Sequence, residues 1–290
     1  MSSSPSVPSG ETPGEPNHTV RFTVIWVVVT LIAMPLVIFV IGPLLGPGHG
    51  SEQSTGQGSD YTVLAATATP VLTLVMLFLL YSVIFFRQPQ GGALEGPAVR
   101  GHARVQATWI IVTSLIVLGV AVFGTVRLEA DNGAGSGSGP NPLTVPKGPK
   151  LPVQVIAQQW LFTYRYPTYG GVETTELYLP ENEMIELHVT SLDVIHDFWA
   201  YKLGVKADAN PGVDNIAFVK PTELESFSVR CAELCGLWHG YMSNAGRVVT
   251  PAAFARWIHE QQKNLAPATK VLPKYSTTYT PEPTKRAEPE

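Results

Sequence analysis

The chain has 290 residues and a formal net charge of −4, with 14% charged and 45% hydrophobic residues. With no basic excess to neutralise phosphates, there is no electrostatic case for nucleic acid as a partner. The whole-chain average conceals a concentration of aliphatic residues in the first half.

Residues 1–20 are rich in Ser, Pro, Gly and Glu, hold too little apolar surface to fold, and read as a flexible tail. Residues 21–128 read as a membrane anchor. Within it, the uncharged apolar runs 22–45, 61–86 and 105–126 each exceed the ~20 residues that cross a bilayer as helix. Arg87, Arg100 and Arg104 lie between the second and third runs, while Glu52 and Asp60 lie between the first and second. The positive charges belong inside, so the chain from 129 onward belongs outside. The first run is longer than the ~7–15 apolar residues of a signal peptide and lacks a good cleavage site after it, which favours a retained helix. Pro35 and Pro43 are expected to kink or bound it.

Residues 129–150, mainly Gly, Ser, Asn and Pro, read as a linker. From Leu151 the period changes to two. Val153, Val155 and Ala157 alternate with Gln154, Ile156 and Gln158, and an aromatic run follows through Trp160, Phe162, Tyr164 and Tyr166. Strand-like stretches at 176–179, 185–189 and 226–230 are separated by Gly170-Gly171, Pro180-Glu181-Asn182 and Asn210-Pro211-Gly212. This spacing predicts a Greek-key β-sandwich or barrel. Pro251 opens a short helix over 252–262, and residues 265–290 read as a mobile tail. His188 sits in a strand, out of phase with Leu187 and Val189, and reads as solvated or locally hydrogen-bonded.

The chemistry concentrates in Cys231-Ala-Glu-Leu-Cys235-Gly-Leu-Trp-His239-Gly-Tyr-Met242, which holds both cysteines of the chain. Thiolate and thioether are soft ligands and imidazole is borderline, a set that prefers copper to magnesium or calcium. A mononuclear blue-copper site needs one Cys, and this loop has two. Two thiolates four residues apart can bridge two copper ions. Such a pair shares one unpaired electron, so its geometry changes little on reduction. The second imidazole must come from elsewhere, and His196 in Asp193-Val-Ile-His196-Asp-Phe-Trp is the candidate. A disulfide or a zinc site are the plainer readings of a Cys pair. The joint pattern C-x-E-x-C-x3-H-x2-M with its upstream His disfavours both.

At these residues the sequence resembles subunit II of the haem-copper cytochrome c oxidases, in its bacterial form. The likeness covers roughly residues 61–260 and also includes Gln159-Trp160 and Lys206-Ala-Asp208-Ala-Asn-Pro-Gly212. It implies an anchor of two or three membrane helices and an all-β, cupredoxin-like Greek-key domain over 151–264. It also implies a binuclear copper (CuA) centre held by His196, Cys231, Cys235, His239, Met242 and the backbone carbonyl of Glu233. The Glu233 carboxylate then becomes a candidate magnesium ligand at the interface with subunit I. By the same resemblance, Trp160 admits electrons from cytochrome c or a c-type cytochrome domain on the outer face of a bacterial plasma membrane. The haems of subunit I, accompanied by other oxidase subunits, reduce oxygen and pump protons. Residues 129–263 hold fifteen Asp and Glu against ten Lys and Arg, which suits a basic donor. Arg165 stands where several relatives carry an acidic residue and counts against a strong acidic patch. The alternative is a membrane-anchored copper-binding or copper-delivery protein acting without an oxidase. Co-purification with a haem-bearing subunit separates the two.

Overall fold

The computed structural model describes residues 17–87, 101–130 and 145–266. Most of the expected terminal tails (1–20 and 265–290) and most of the expected linker lie outside these; within them, residues 18–20 already belong to the first helix and Leu265 still belongs to the last. The chain divides into two units, one of residues 1–42 with 62–100 and one of 43–61 with 101–290.

The first unit is built on helix α1 (His18–Leu36), whose N-terminus is capped by Asn17 accepting from the Val20 N–H. Pro35 lies inside α1 and supplies no N–H to the ladder. The chain continues without a break through one π-helical turn (Val37–Ile41), where the Gly42 N–H reaches the Val37 carbonyl, into the short α2 (Gly42–Leu45). Helix α3 (Glu52–Phe85) contributes its residues from Thr62 onward to the same unit. Three polar side chains of α1 find partners on α3: Trp26 Nε1 donates to the Pro70 carbonyl at 3.0 Å, and the Thr30 and Thr73 hydroxyls meet at 2.7 Å. His18 Nδ1 lies 2.7 Å from the Tyr81 hydroxyl. Such bonds satisfy side chains that an apolar surrounding would leave bare.

Three helical stretches, His18–Leu45, Glu52–Phe85 and Ala103–Leu128, are long and apolar enough to cross a membrane. The 34 residues of α3 correspond to about 51 Å of helix against a hydrocarbon core of about 30 Å. Its polar first turns, expected as a loop, are therefore surplus to a span. Helix α4 (Ala103–Ala130) is likewise longer than the expected 105–126.

The second unit is dominated by two five-stranded sheets. One has the order β3-β2-β1-β5-β8, formed by Val172–Thr174, Leu161–Tyr166, Leu151–Gln158, Ile185–Ser191 and Asn215–Val219. The other has the order β4-β10-β9-β6-β7, formed by Leu177–Pro180, Ser243–Val249, Ser226–Cys231, His196–Ala200 and Val205–Ala209. The pairs β1·β5 and β10·β4 are parallel, and the others are antiparallel. Successive strands pass repeatedly from one sheet to the other, as Greek-key connections do. Val153, Val155, Phe162, Tyr164, Leu187, Phe198 and Val229 fill the space between the sheets.

Strict alternation fails on β1, because Gln154 and Ile156 are buried as well. Gln154, Arg165 and Glu173 lie in one row across β1, β2 and β3. Arg165 is 1% exposed; its Nη1 donates to Gln154 Oε1 at 3.2 Å, and its Nε and Nη2 donate to Glu173 Oε2 at 3.2 and 3.0 Å. Its charge is matched inside the sheet, so Arg165 does not subtract from an acidic outer surface. His188 proves bonded rather than solvated, buried with Nδ1 2.9 Å from Asp214 Oδ2. Helix α5 (Pro251–Leu265) begins with Thr250 accepting from the Ala253 N–H; it buries Phe254 and Ile258 and stacks Trp257 on Tyr178 at 4.2 Å.

Gly246 on β10 lies directly opposite Phe227 on β9, and a Cβ there would fall 2.3 Å from the ring. Its bare Cα makes room for the aromatic ring. Gly246→Val is expected to overpack the sheet by about 1–3 kcal/mol and to lower the thermal midpoint of the domain by roughly 5–15 °C. A midpoint moved by less than about 1 °C would show that the ring simply swings aside.

Candidate metal centre

Three connections meet at one end of the sandwich: the β1–β2 turn at 159–160, the β5–β6 connection at 192–195 and the β9–β10 loop at 232–242. The Leu192 N–H donates to the Ala157 carbonyl at 2.9 Å and the Ala232 N–H to the Asp197 carbonyl at 3.0 Å, which ties all three to the strands. The Cys231 N–H donates to the Met242 carbonyl at 3.1 Å and closes the base of the long loop.

This closure gathers the donor atoms. Cys231 Sγ lies 3.7 Å from Cys235 Sγ, 3.8 Å from His196 Nδ1 and 3.2 Å from the Glu233 carbonyl oxygen. Cys235 Sγ lies 3.5 Å from His239 Nδ1 and 3.8 Å from Met242 Sδ. Both thiols are free, and their separation is far beyond the ~2.05 Å of a disulfide. His196, Cys231, Cys235 and Met242 are buried, whereas the Glu233 side chain is exposed. Three sulfurs, two imidazoles and a carbonyl thus gather around the two cysteines, and the donor atoms of His196, Cys231 and Cys235 all lie within 4.8 Å of one another. The set is soft, with three sulfurs and two imidazole nitrogens, which fits copper.

The surrounding groups orient this set. Asp193 Oδ1 lies 2.9 Å from His196 Nε2, so the imidazole donates there and keeps Nδ1 turned towards Cys231. Burial works against the Asp193 carboxylate, but hydrogen bonds from the Gln159 N–H, His196 and the Val194 N–H hold it below the usual carboxylate range. Burial likewise disfavours a charged His196, yet Cys231 and Asp193 raise it above its ordinary value. The two thiols diverge. Burial opposes ionisation of Cys231, but His196 and the backbone of Asp197 and Glu233 bring it down to about 6. Cys235 is pushed up to about 12, first by burial and then by the neighbouring Cys231. One thiolate is cheap, and the second needs a nearby cation.

Trp160 is half-buried, packed against the core, and its Nε1 donates to the Cys235 carbonyl at 3.2 Å. The same carbonyl accepts from Gln159 Nε2 at 2.8 Å. Gly236 makes this approach possible: it has φ +113, and a Cβ there would fall 3.0 Å from Gln159 Nε2. Asn244 bridges the sheets, accepting from the Phe162 N–H at 3.2 Å and donating to the Phe162 and Thr175 carbonyls at 3.1 and 2.7 Å. Sequence reasoning gave Gly236, Asn244 and the Asp193 carboxylate no role. Only the position of Asp193, three residues before His196, hinted at one.

A family model for the periplasmic domain of cytochrome c oxidase subunit II matches residues 171–249. The cytochrome c oxidase subunit 2 of Thermostichus vulcanus is 27% identical over 281 residues, covering 82% of this chain and 85% of that protein. That of Synechocystis sp. is 26% identical, covering 88% and 89%. The solved periplasmic domain of subunit II of cytochrome oxidase (CoxB) of Bradyrhizobium japonicum is 34% identical; the match covers 42% of this chain and 99% of that one, with a TM-score of 0.40. The family model falls on the stretch that carries the donor loop, and the Thermostichus and Synechocystis proteins are matched over more than four fifths of both chains, so the chain belongs to the cytochrome c oxidase subunit II family.

Proposed function

We propose that this chain is the electron-accepting subunit of a terminal oxidase. In this reading a binuclear CuA centre is held by His196, Cys231, Cys235, His239, Met242 and the Glu233 carbonyl. The observation that carries it is the pair of free sulfurs 3.7 Å apart, each flanked by an imidazole nitrogen at 3.5–3.8 Å. When bound, the copper pair supplies a one-electron acceptor whose unpaired electron is shared by both metals.

The chain's residues keep that acceptor in one geometry. Asp193 fixes the ring of His196, and Gln159 and Trp160 both hold the Cys235 carbonyl. Strands β6 and β9, paired through Phe198 and Cys231, supply a rigid base. Trp160, touching the loop and partly exposed, is the entry point for electrons from cytochrome c or a c-type cytochrome domain. The haems of subunit I receive them, and oxygen reduction and proton pumping belong to that partner. The exposed Glu233 carboxylate is suited to a magnesium ion shared with subunit I. Three apolar helices anchor the chain in a bacterial plasma membrane, with the copper domain on its outer face.

The test is metal analysis with electron paramagnetic resonance on the whole chain, purified in detergent after growth with ample copper. The expected result is two coppers per chain and hyperfine coupling to two equivalent nuclei. A single-copper spectrum, or zinc without copper, overturns the reading.

A further inference from the structure

Residues 46–57 connect two apolar runs, yet they are bound into the β-domain. Ser51 and Ser54 are fully buried, and Gln53 is 4% exposed. Ser51 Oγ donates to the Leu203 carbonyl and Gln57 Nε2 to the Gly204 carbonyl, both at 2.6 Å. The Lys220 N–H donates to Gln53 Oε1 at 2.9 Å. Backbone bonds add to these: the Glu52 N–H donates to the Lys220 carbonyl at 3.1 Å and the Thr222 N–H to the Gly50 carbonyl at 3.0 Å. The Lys220 ammonium pairs with Glu52 at 2.6 Å.

Burying serine and glutamine side chains is unfavourable unless each is partnered. Here the partners are backbone groups of two loops, at 203–204 and 220–222. The contact is too close to be incidental. Gly204 has φ +65, and a Cβ on it would fall 2.8 Å from the Ser54 Cα and 2.9 Å from the Ser54 nitrogen. Only a glycine lets the two backbones meet. Residues 201–204 directly follow β6, the strand that begins with His196. Asp60, two turns further along α3, is joined to Arg127 of α4 at 2.7 Å.

We propose that residues 46–57 form a strap that completes the β-domain and holds it to the N-terminal end of α3 without help from the covalent link through residues 131–144. The domain is then discontinuous in sequence, and the strap braces the far end of the strand that carries His196.

The experiment uses the whole chain in detergent, with a protease site inserted between residues 131 and 144 and an affinity tag at the N-terminus. After complete cleavage, the unsubstituted β-domain is expected to elute with the tagged helices. The triple variant Ser51→Ala, Gln53→Ala, Gln57→Ala is expected to lower the retained fraction at least tenfold. Release of the unsubstituted domain overturns the strap. So does full retention of the triple variant, which would mean that something else holds the domain. Hydrogen exchange on the uncleaved, unsubstituted chain gives an independent reading. The amides of Glu52, Lys220 and Thr222 are expected to be protected together, and free exchange at all three overturns the proposal. Neither measurement depends on copper, so its outcome is separate from that of the proposed function.

Discussion

Cys235→Ser is expected to leave the chain with one copper ion or none. Cys235 Sγ is the hub of the cluster, lying 3.7 Å from Cys231 Sγ, 3.5 Å from His239 Nδ1 and 3.8 Å from Met242 Sδ. A serine oxygen occupies nearly the same place but is a hard donor that stays protonated at neutral pH, so it cannot bridge two soft metals. The fold should survive, because the backbone bonds that shape the loop remain: the Cys235 carbonyl still accepts from Gln159 and Trp160, and Cys231 still closes on Met242. In the assembled oxidase, oxygen consumption with reduced donor should fall by more than about a hundredfold, about 2.7 kcal/mol of barrier. Copper stoichiometry and the spin resonance spectrum of the purified variant check the first part, and an oxygen electrode checks the second. Two coppers per chain in the variant, with a spectrum still shared between two nuclei, would falsify the bridging role.

The loop was legible because its donors are contiguous: four of the side chains lie within residues 231–242, and a close-packed loop leaves them little choice but to converge. His196 was readable through its spacing and the resemblance. The anchor was readable too, because hydropathy over some twenty residues is a strong signal. What could not be read depends on pairing between distant segments. Nothing local says that Arg165 lies between Gln154 and Glu173, since that row exists only once β1, β2 and β3 are in register. Nor does residue type say that the Asp193 carboxylate faces His196 rather than water. The start of α3 misleads for a physical reason. Gly56, Gly58 and the serines around them are poor helix formers, so the stretch reads as a loop. Its helix is stabilised by the bonds it makes to residues 203–222, which tertiary context supplies and propensity does not.

Trp160→Ala is expected to slow oxidation of reduced cytochrome c by more than about tenfold, about 1.4 kcal/mol of barrier, while copper content stays at its unsubstituted level. The indole is half-buried, and a Cβ on Gly236 would lie 3.4 Å from its Cζ2, so the ring touches the 232–242 loop while part of it stays open to solvent. Removing the ring lengthens the path from donor to centre. Removing it does not abandon the Cys235 carbonyl, because Gln159 Nε2 still donates there at 2.8 Å. Trp160→Phe separates the two contributions: it keeps an aromatic ring but loses the Nε1 donor, and it should fall between the parent and the alanine variant. Ionic strength provides a second axis. Since Arg165 is internal and matched by Glu173, it leaves the acidic excess of the domain surface undiminished. Raising the salt concentration should therefore weaken donor association in the parent and in both variants alike, whereas the effect of the ring should persist at every salt concentration. Stopped-flow oxidation of the donor across a salt series, with copper measured on the same samples, reads both. Unchanged oxidation in Trp160→Ala would make Trp160 a packing residue and move the entry point elsewhere on the loop. Copper lost together with activity would make it a brace for Cys235 instead.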